Sequence, residues 1–177
     1  DDAHHCHEDD SAGHRRRSRR GAGDDCLNGR AAEEGAAYDR VIEIALNELV
    51  PMAACPSNPA NVKTVAEVAG LPCSQVMIGS CTNSSLKDMQ LVASMLKGRI
   101  VNPGVSLAIA PGSKQVLRML SEDGSLAIML AAGCRILESA CGPCIGLGFS
   151  PASGTISVRT NNRNFLNRTG TKDDQCY

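Results

Sequence analysis

The sequence predicts an α/β fold: a three-layer α/β/α domain in which helices cover both faces of a mainly parallel sheet. Short apolar runs that suit buried strands alternate with segments whose apolar residues recur at helical spacing. Glycine, proline and small polar residues separate the two kinds of segment. Strands that alternate with helices in this way form parallel sheets with right-handed crossovers.

The individual elements follow from these patterns and from the residues at their ends. Asn83, Ser84 and Ser85 suit the start of one helix, and Ser113 suits the start of another. Gly133 is a helix stop signal. The predicted elements are a periodic segment at 38–49, strands at 75–78, 105–110, 134–137 and 155–160, and helices at 86–96, around 116–120 and at 126–132.

The chain divides into three predicted parts. Residues 1–35 combine acidic pairs with an arginine-rich run at 15–20 and have no hydrophobic period, so they are predicted to be a disordered or artefactual tail. Residues 36–70 are expected to be a connector with short elements, because prolines interrupt residues 51–59. Residues 71–177 are expected to form the folded domain. All four histidines lie in the tail, so the domain has none to offer a metal.

The composition narrows the classes of function. Of the 177 residues, 42% are hydrophobic and 2% are aromatic, which suits an aliphatic core and leaves few side chains to stack on single-stranded nucleic acid. The net charge of −1 provides no general field that would attract nucleic acid or a membrane surface. No apolar run reaches the length of a membrane span. Any preference for anions must therefore come from a local site.

The cysteine pattern predicts a metal centre. Cys141-Gly142-Pro143-Cys144 is a tight turn that can offer two thiolates to an iron–sulfur cluster, and Cys81 can add a third. Nine cysteines, an odd number without a recognisable secretory signal, favour reduced thiols and a cytoplasmic or organelle-matrix location. A redox dithiol and half of a zinc site remain alternative interpretations of the pair. Cys73 and Cys134 lie in apolar surroundings and are predicted core residues.

The candidate groups all follow predicted strands. Cys81 comes after the first strand, Cys141 and Cys144 come after the third, and Asn162 and Arg163 come after the fourth. The carboxyl ends of parallel strands meet at one edge of a sheet, where open α/β folds bind ligands. We therefore expect these residues to converge at that edge.

The turn after the fourth strand suits an anion site. A planar guanidinium can bind a carboxylate through two hydrogen bonds, so Arg163 and Arg168 are candidates, with ordinary surface arginines as the alternative. Asn162 and Asn164 are expected either to hold the backbone of the turn or to reach the ligand.

Four motifs, taken in order, resemble the iron–sulfur region of the aconitase family. They are Ile-Gly-Ser-Cys-Thr-Asn-Ser at 78–84, Pro-Gly-Ser at 111–113, Cys-Gly-Pro-Cys-Ile-Gly at 141–146 and Asn-Arg-Asn-Phe-Leu-Asn-Arg at 162–168. The likeness begins near Tyr38 and does not include the tail. The flanking sequence looks most similar to bacterial-type aconitate hydratase, with 3-isopropylmalate dehydratase large subunit and homoaconitase as related types.

The resemblance implies a cofactor and its ligands. It implies that Cys81, Cys141 and Cys144 ligate three irons of a [4Fe-4S] cluster whose fourth iron binds the substrate. An iron without a protein ligand can act as a Lewis acid on a hydroxyl group.

The resemblance also implies a substrate site and an activity. Asn162, Arg163 and Arg168 are expected to bind a small tricarboxylate. The implied activity is that of a hydro-lyase, aconitate hydratase of the tricarboxylic acid cycle, which interconverts citrate and isocitrate through cis-aconitate. The alternatives are a 3-isopropylmalate or homoaconitate hydro-lyase and a non-catalytic iron–sulfur or RNA-binding module. The near-neutral charge argues against nucleic acid as a partner.

Departures from the family pattern limit these expectations. Asn167 stands where the family has glycine, which is expected to shift the turn that aims Arg168, and Ala45 stands where the family usually has aspartate. Aconitases are several times longer than this chain, so the chain is expected to be a fragment of a larger enzyme, with the missing domains as its partners. No catalytic base is evident, and little or no turnover is expected from the chain alone.

Overall fold

The computed structural model describes residue 35 and residues 37–177. The disorder predicted for the tail at 1–35 therefore lies, apart from Gly35, outside the described residues. One compact unit ends at Asn47, and a second runs from Glu48 to Tyr177. In the first unit the described side chains are exposed, and the periodic segment predicted at 38–49 contains only a 3-10 turn at Leu46–Glu48.

The second unit is built on a parallel sheet of five strands in the order β5-β4-β3-β6-β7. A separate antiparallel pair, β1 and β2, precedes it. The α/β class and the mainly parallel sheet are confirmed, and the four predicted strands correspond to β3 to β6. Strands β1, β2 and β7 are not predicted from the sequence. The strands are β1 (Met52–Ala54), β2 (Val62–Thr64), β3 (Gln75–Gly79), β4 (Ser106–Ala110), β5 (Arg135–Ile136), β6 (Ile156–Arg159) and β7 (Gln175–Cys176).

Three helices follow β3 and β4, as the apolar spacing predicts. They are α1 (Leu86–Leu96), α2 (Lys114–Glu122) and α3 (Ser125–Ala131). Ser85 caps α1 in a reciprocal pair with Asp88, and the hydroxyl of Ser113 accepts a hydrogen bond from the N–H of Val116 at 3.1 Å. Gly133 lies just after the C-terminal end of α3 and has φ +94°, a conformation that glycine adopts at little cost. Among the helices in the described part of the chain, none has the length and apolar character that crossing a bilayer requires.

The three helices pack on one face of the sheet. Their core is aliphatic and includes Cys134, which confirms that cysteine as a core residue; Cys73 is only partly buried. Alternate residues of a strand face opposite ways, so Leu107 and Ile109 of β4 point towards the helices. The buried members of this core are Met89, Ala93, Leu107, Ile109, Leu120, Met129, Ala132 and Cys134.

The sequence predicts helices on both faces of the sheet, but an irregular segment covers the opposite face. Its buried cluster consists of Met77, Ala108, Ala110 and Phe149. Phe149 belongs to the irregular segment between β5 and β6, whose regular structure is limited to a 3-10 turn at Pro143–Ile145. Closely spaced glycines and prolines prevent a longer helix there, and the small alanines of β4 allow the segment to lie close to the sheet. This segment carries the Cys-x-x-Cys turn.

The helix-side core should determine most of the stability of the second unit. Met129 is 0% exposed and Leu130, its neighbour on α3, is 52% exposed. We predict that Met129→Ala lowers the free energy of unfolding by about 2–5 kcal/mol because it leaves a cavity. Leu130→Ala, the matched control, should change it by less than about 0.5 kcal/mol. Urea unfolding followed by circular dichroism measures both, and equal losses would contradict this description of the core.

Candidate metal and anion site

A cavity of about 250 Å³ lies next to residues that directly follow β3 and β6. Its walls contain all six residues that the sequence analysis singles out as ligands, namely Cys81, Cys141, Cys144, Asn162, Arg163 and Arg168. Ser80, Thr82 and Asn161 complete the lining. The structure therefore brings together three segments that are distant in the sequence, as the rule for the carboxyl ends of parallel strands predicts.

Cys81 is positioned by a tight turn at the end of β3. Gly79 has φ +101°, and a side chain there would collide with the backbone oxygen of Ala110 on the neighbouring strand, so the position requires glycine. The hydroxyl of Ser80 accepts hydrogen bonds from the backbone N–H groups of Thr82 and Asn83, both at 3.3 Å. These bonds fix the turn and leave the Cys81 thiol exposed.

The Cys-x-x-Cys turn is held from beneath by Arg159 of β6. The guanidinium donates to the backbone oxygens of Pro143 and Phe149, each at 2.8 Å. It also donates to Gln75 Oε1 at 2.6 Å and to Ser157 Oγ at 2.9 Å. Arg159 is 7% exposed, and burial lowers the pKa of its guanidinium below the ordinary value. An arginine keeps its charge even so, and the oxygens that accept its hydrogen bonds stabilise this charge.

Sequence reasoning missed Arg159. The β-branched Ile156 and Val158 mark the strand, but Val158 is 40% exposed, while Ser157 is fully buried. The buried face of β6 is therefore the polar one. The available signal was the alternation of a serine and an arginine in a strand of a parallel sheet, which is unusual unless the two side chains belong to a buried hydrogen-bond network.

A glycine joins the cysteine turn to the arginine turn. Gly146 has φ +82°, and a side chain at this position would meet the backbone oxygen of Thr169 and the hydroxyl of Ser150. The Ser150 hydroxyl itself donates to the same Thr169 oxygen at 2.8 Å. Only glycine allows the two turns to approach this closely.

Asn164 holds the backbone and does not reach the cavity. Its side-chain nitrogen donates to the backbone oxygens of Ala54 and Cys176 at 3.2 Å and of Cys55 at 2.6 Å. Of the two roles expected for this asparagine, the structure therefore supports the structural one. Asn162 differs, because it lines the cavity and accepts a hydrogen bond from the Asn83 amide at 2.7 Å. That bond links the arginine turn to the turn that carries Cys81.

The substitution of glycine by Asn167 leaves Arg168 directed to the cavity. Asn167 has φ 61°, the left-handed conformation that glycine favours and that asparagine tolerates better than other residues. The backbone N–H of Arg168 donates to the Phe165 oxygen at 3.1 Å and closes the turn. Asparagine thus takes over the role of the glycine expected here.

The cavity favours anions and thiolate-binding cations. Its lining contains two arginines and no carboxylate, and within residues 37–177 neither Arg163 nor Arg168 forms an ion pair. Burial raises the pKa of the Cys144 thiol, the nearby Cys141 and Cys81 raise it further, and Arg168 opposes them. The three sulfur atoms and Arg168 are therefore close enough to influence one another.

The ligand set fits an iron–sulfur cluster better than a zinc ion. Within the described residues, no three cysteine, histidine or acidic side chains converge closely enough to hold a single metal ion. Zinc needs at least three such ligands, and four in structural sites, at about 2.0–2.3 Å from the metal. The seven cysteines in this part of the chain are free thiols. Three thiols around a shared cavity, without histidine or carboxylate, match the chemistry of cluster ligands.

A second cavity of about 490 Å³ shares Asn161, Asn162 and Arg163 with the first. Most of its other walls are apolar and come from β1 and from residues 65–71. Although it is larger, it contains none of the three candidate ligand cysteines. The chemistry of the site is therefore assigned to the smaller cavity.

Comparison with known proteins connects this site to a family. A family model described as "Aconitase family (aconitate hydratase)" matches residues 62–177. The 3-isopropylmalate dehydratase large subunit 1 of Deinococcus radiodurans is 42% identical over 146 residues, which cover 82% of this chain and 34% of that protein. The homoaconitase large subunit of Thermus thermophilus is 41% identical over 143 residues, which cover 80% and 34%. The chain thus spans about a third of the length of the curated relatives it matches.

The hydrogen bonds of Arg159 should stabilise the site measurably. We predict that Arg159→Met lowers the free energy of unfolding by at least about 2 kcal/mol, because each buried acceptor left without a donor costs about 1–3 kcal/mol. It should also speed alkylation of Cys144, since the Pro143 oxygen is released. Arg135→Met is the matched control, because Arg135 is exposed and contacts the same Phe149 ring at 5.7 Å. Similar effects of the two changes in urea unfolding and thiol alkylation would contradict this role.

Proposed function

The chain belongs to the aconitase family, and from that premise we propose that it is the cluster-binding part of a hydro-lyase for a small hydroxy acid. The names of the relatives favour a substrate of the 3-isopropylmalate or homoaconitate type. Aconitate hydratase activity on citrate, and a place in the tricarboxylic acid cycle, are expected from the motifs alone but have less support. The observation that carries the proposal is the cavity that three cysteines share with two arginines, neither of which forms an ion pair within the described part of the chain.

In this proposal Cys81, Cys141 and Cys144 hold three irons of a [4Fe-4S] cluster. When bound, the cluster would supply a Lewis acid that assists the departure of the substrate hydroxyl group. Cys144 lies buried at the base of the site, whereas Cys81 and Cys141 are exposed. The turns described above hold the three thiols around one cavity, so little conformational entropy is lost when they bind a common ligand.

The arginines are proposed to bind the carboxylates of the substrate. A guanidinium can form two parallel hydrogen bonds to one carboxylate, and within the described residues no acidic side chain competes for Arg163 or Arg168. Asn162 has its orientation fixed by Asn83 and can contact the polar part of the same ligand. Together these groups would orient the acid so that its hydroxyl group faces the cysteines.

The proposed reaction needs a base that the described cavity lacks. Dehydration of a hydroxy acid removes a proton from the carbon next to the carboxylate, and neither histidine nor a carboxylate lines this cavity. The relatives are named large subunits and are about three times as long as the matched region. We propose that further domains or a second subunit provide the base, and that the chain alone binds the ligand with little turnover.

The cluster ligands can be tested one at a time. We predict that Cys81→Ser, Cys141→Ser and Cys144→Ser each reduce iron and sulfide incorporation during anaerobic reconstitution. The loss of a ligand should exceed the roughly 10–100-fold decrease in metal affinity that follows loss of an outer-shell partner. Cys73→Ser is the control, because its side chain bonds to the Gln75 backbone oxygen outside the cavity. Undiminished incorporation in all three variants would refute the ligand assignment.

The substrate class and the role of Arg168 can be tested by calorimetry on the reconstituted chain. We predict that 3-isopropylmalate binds more tightly than citrate and that Arg168→Lys weakens binding about tenfold or more, because one charge-assisted hydrogen bond contributes about 1.5–3 kcal/mol. Arg118→Lys, on the surface of α2, is the control. Tighter binding of citrate would contradict the substrate class. Equal binding by the Arg168 and Arg118 variants would contradict the role of Arg168.

A further inference from the structure

Asn161 contacts the buried Cys144 through the oxygen of its side-chain amide and not through the nitrogen. The Cys144 thiol donates a hydrogen bond to Asn161 Oδ1 at 3.7 Å. The nitrogen of the same amide, Nδ2, is buried and has no hydrogen-bond partner among the described residues. Buried donors without an acceptor are rare because the group has lost its water and gained nothing. This unsatisfied nitrogen at the wall of the cysteine cavity needs an explanation.

A carboxamide can meet either a thiol or a metal-bound sulfur, through different atoms. A thiol has a proton to donate, so it faces the amide oxygen. A cysteine sulfur bound to iron has no proton and can only accept a hydrogen bond. The oxygen and nitrogen of a carboxamide have nearly the same size, so half a turn of the group exchanges them without displacing a neighbour.

We propose that Asn161 is a positioning residue for the cluster: when Cys144 binds iron, the amide turns over and Nδ2–H donates to the Cys144 sulfur. This inference rests on the proposed function, since it requires a cluster at Cys144. Cys144 is the buried member of the three cysteines, whereas Cys81 and Cys141 are exposed and can receive hydrogen bonds from water. Cys144 is thus the ligand for which the protein itself must supply the donor.

The neighbouring Asn162 is held by a hydrogen bond of a kind that Asn161 lacks. The oxygen of Asn162 accepts from the Asn83 amide, which ties it to the turn at Cys81. Asn161, in contrast, has no side-chain hydrogen bond in the described structure except the one from Cys144. Its amide is therefore free to rotate without breaking another contact.

An N–H group directed at a ligand sulfur has a measurable consequence. Hydrogen bonds to cluster sulfurs help to set the reduction potential. They stabilise the more negatively charged reduced form, so removal of the donor should make the potential more negative. A purely structural role for Asn161 would not shift the potential in a folded, fully loaded protein.

The test compares three variants of the full chain after anaerobic reconstitution with iron and sulfide. Asn161→Asp keeps the shape of the side chain but replaces the N–H by an oxygen and adds a negative charge. Asn161→Ala removes the amide without changing the charge, so its potential decides whether the lost N–H matters. Gln90→Ala is the control, because the exposed amide of Gln90 on α1 bonds to Asp123 at the end of α2 and does not line the cysteine cavity. EPR-monitored redox titration should give a more negative midpoint potential for both Asn161 variants, most negative for Asn161→Asp, with no shift for Gln90→Ala. Both Asn161 variants should also lose iron to a chelator faster than the wild type.

The possible outcomes separate this inference from the proposed function. If the wild type binds a cluster and the potentials of the Asn161 variants equal its own, the inference is wrong and the proposed function stands. An equal shift in Gln90→Ala also overturns the inference. If the wild type incorporates no cluster, the proposed function fails and the inference fails with it.

Discussion

The buried guanidinium of Arg159 is the interaction on which the site depends. It reaches from β6 to the side chain of Gln75 on β3 and to two backbone oxygens of the cysteine segment, those of Pro143 and Phe149. Because that segment has almost no regular structure of its own, these hydrogen bonds take over the positioning that a helix would provide. A charged group without a carboxylate partner in the described residues is tolerated because several oriented acceptors surround it.

The hydrogen bonds of Arg159 also explain how the sheet face opposite the helices is packed. The arginine can reach the cysteine segment only if this segment lies close to the sheet, and the alanines of β4 leave the required space. Glycines at the contact points remove side chains that would keep the turns apart, as Gly79 does beside β4 and Gly146 does beside Thr169. The thiols and the arginines are therefore arranged by close backbone contacts.

Much of the fold could be predicted from the sequence because its signals are local. Apolar runs identify β3 to β6, and Ser85 and Ser113 identify helix starts. The convergence of the cysteines follows from strand order alone. Arg159 and Asn161 were missed because their roles depend on which distant backbone or thiol lies opposite them. The motifs also suggested citrate as the substrate. Protein groups that bind a hydroxyl and carboxylates cannot distinguish one hydroxy acid from another that carries the same groups.

We propose above all that this chain binds a four-iron cluster through three cysteines and leaves one iron without a protein ligand. The most direct measurement is EPR of the reconstituted wild-type chain before and after mild oxidation, together with iron analysis. We expect oxidation to release one iron of four and to produce the signal of a three-iron cluster. A chain that takes up no iron and sulfide, or a cluster that keeps all its irons under the same treatment, would contradict it.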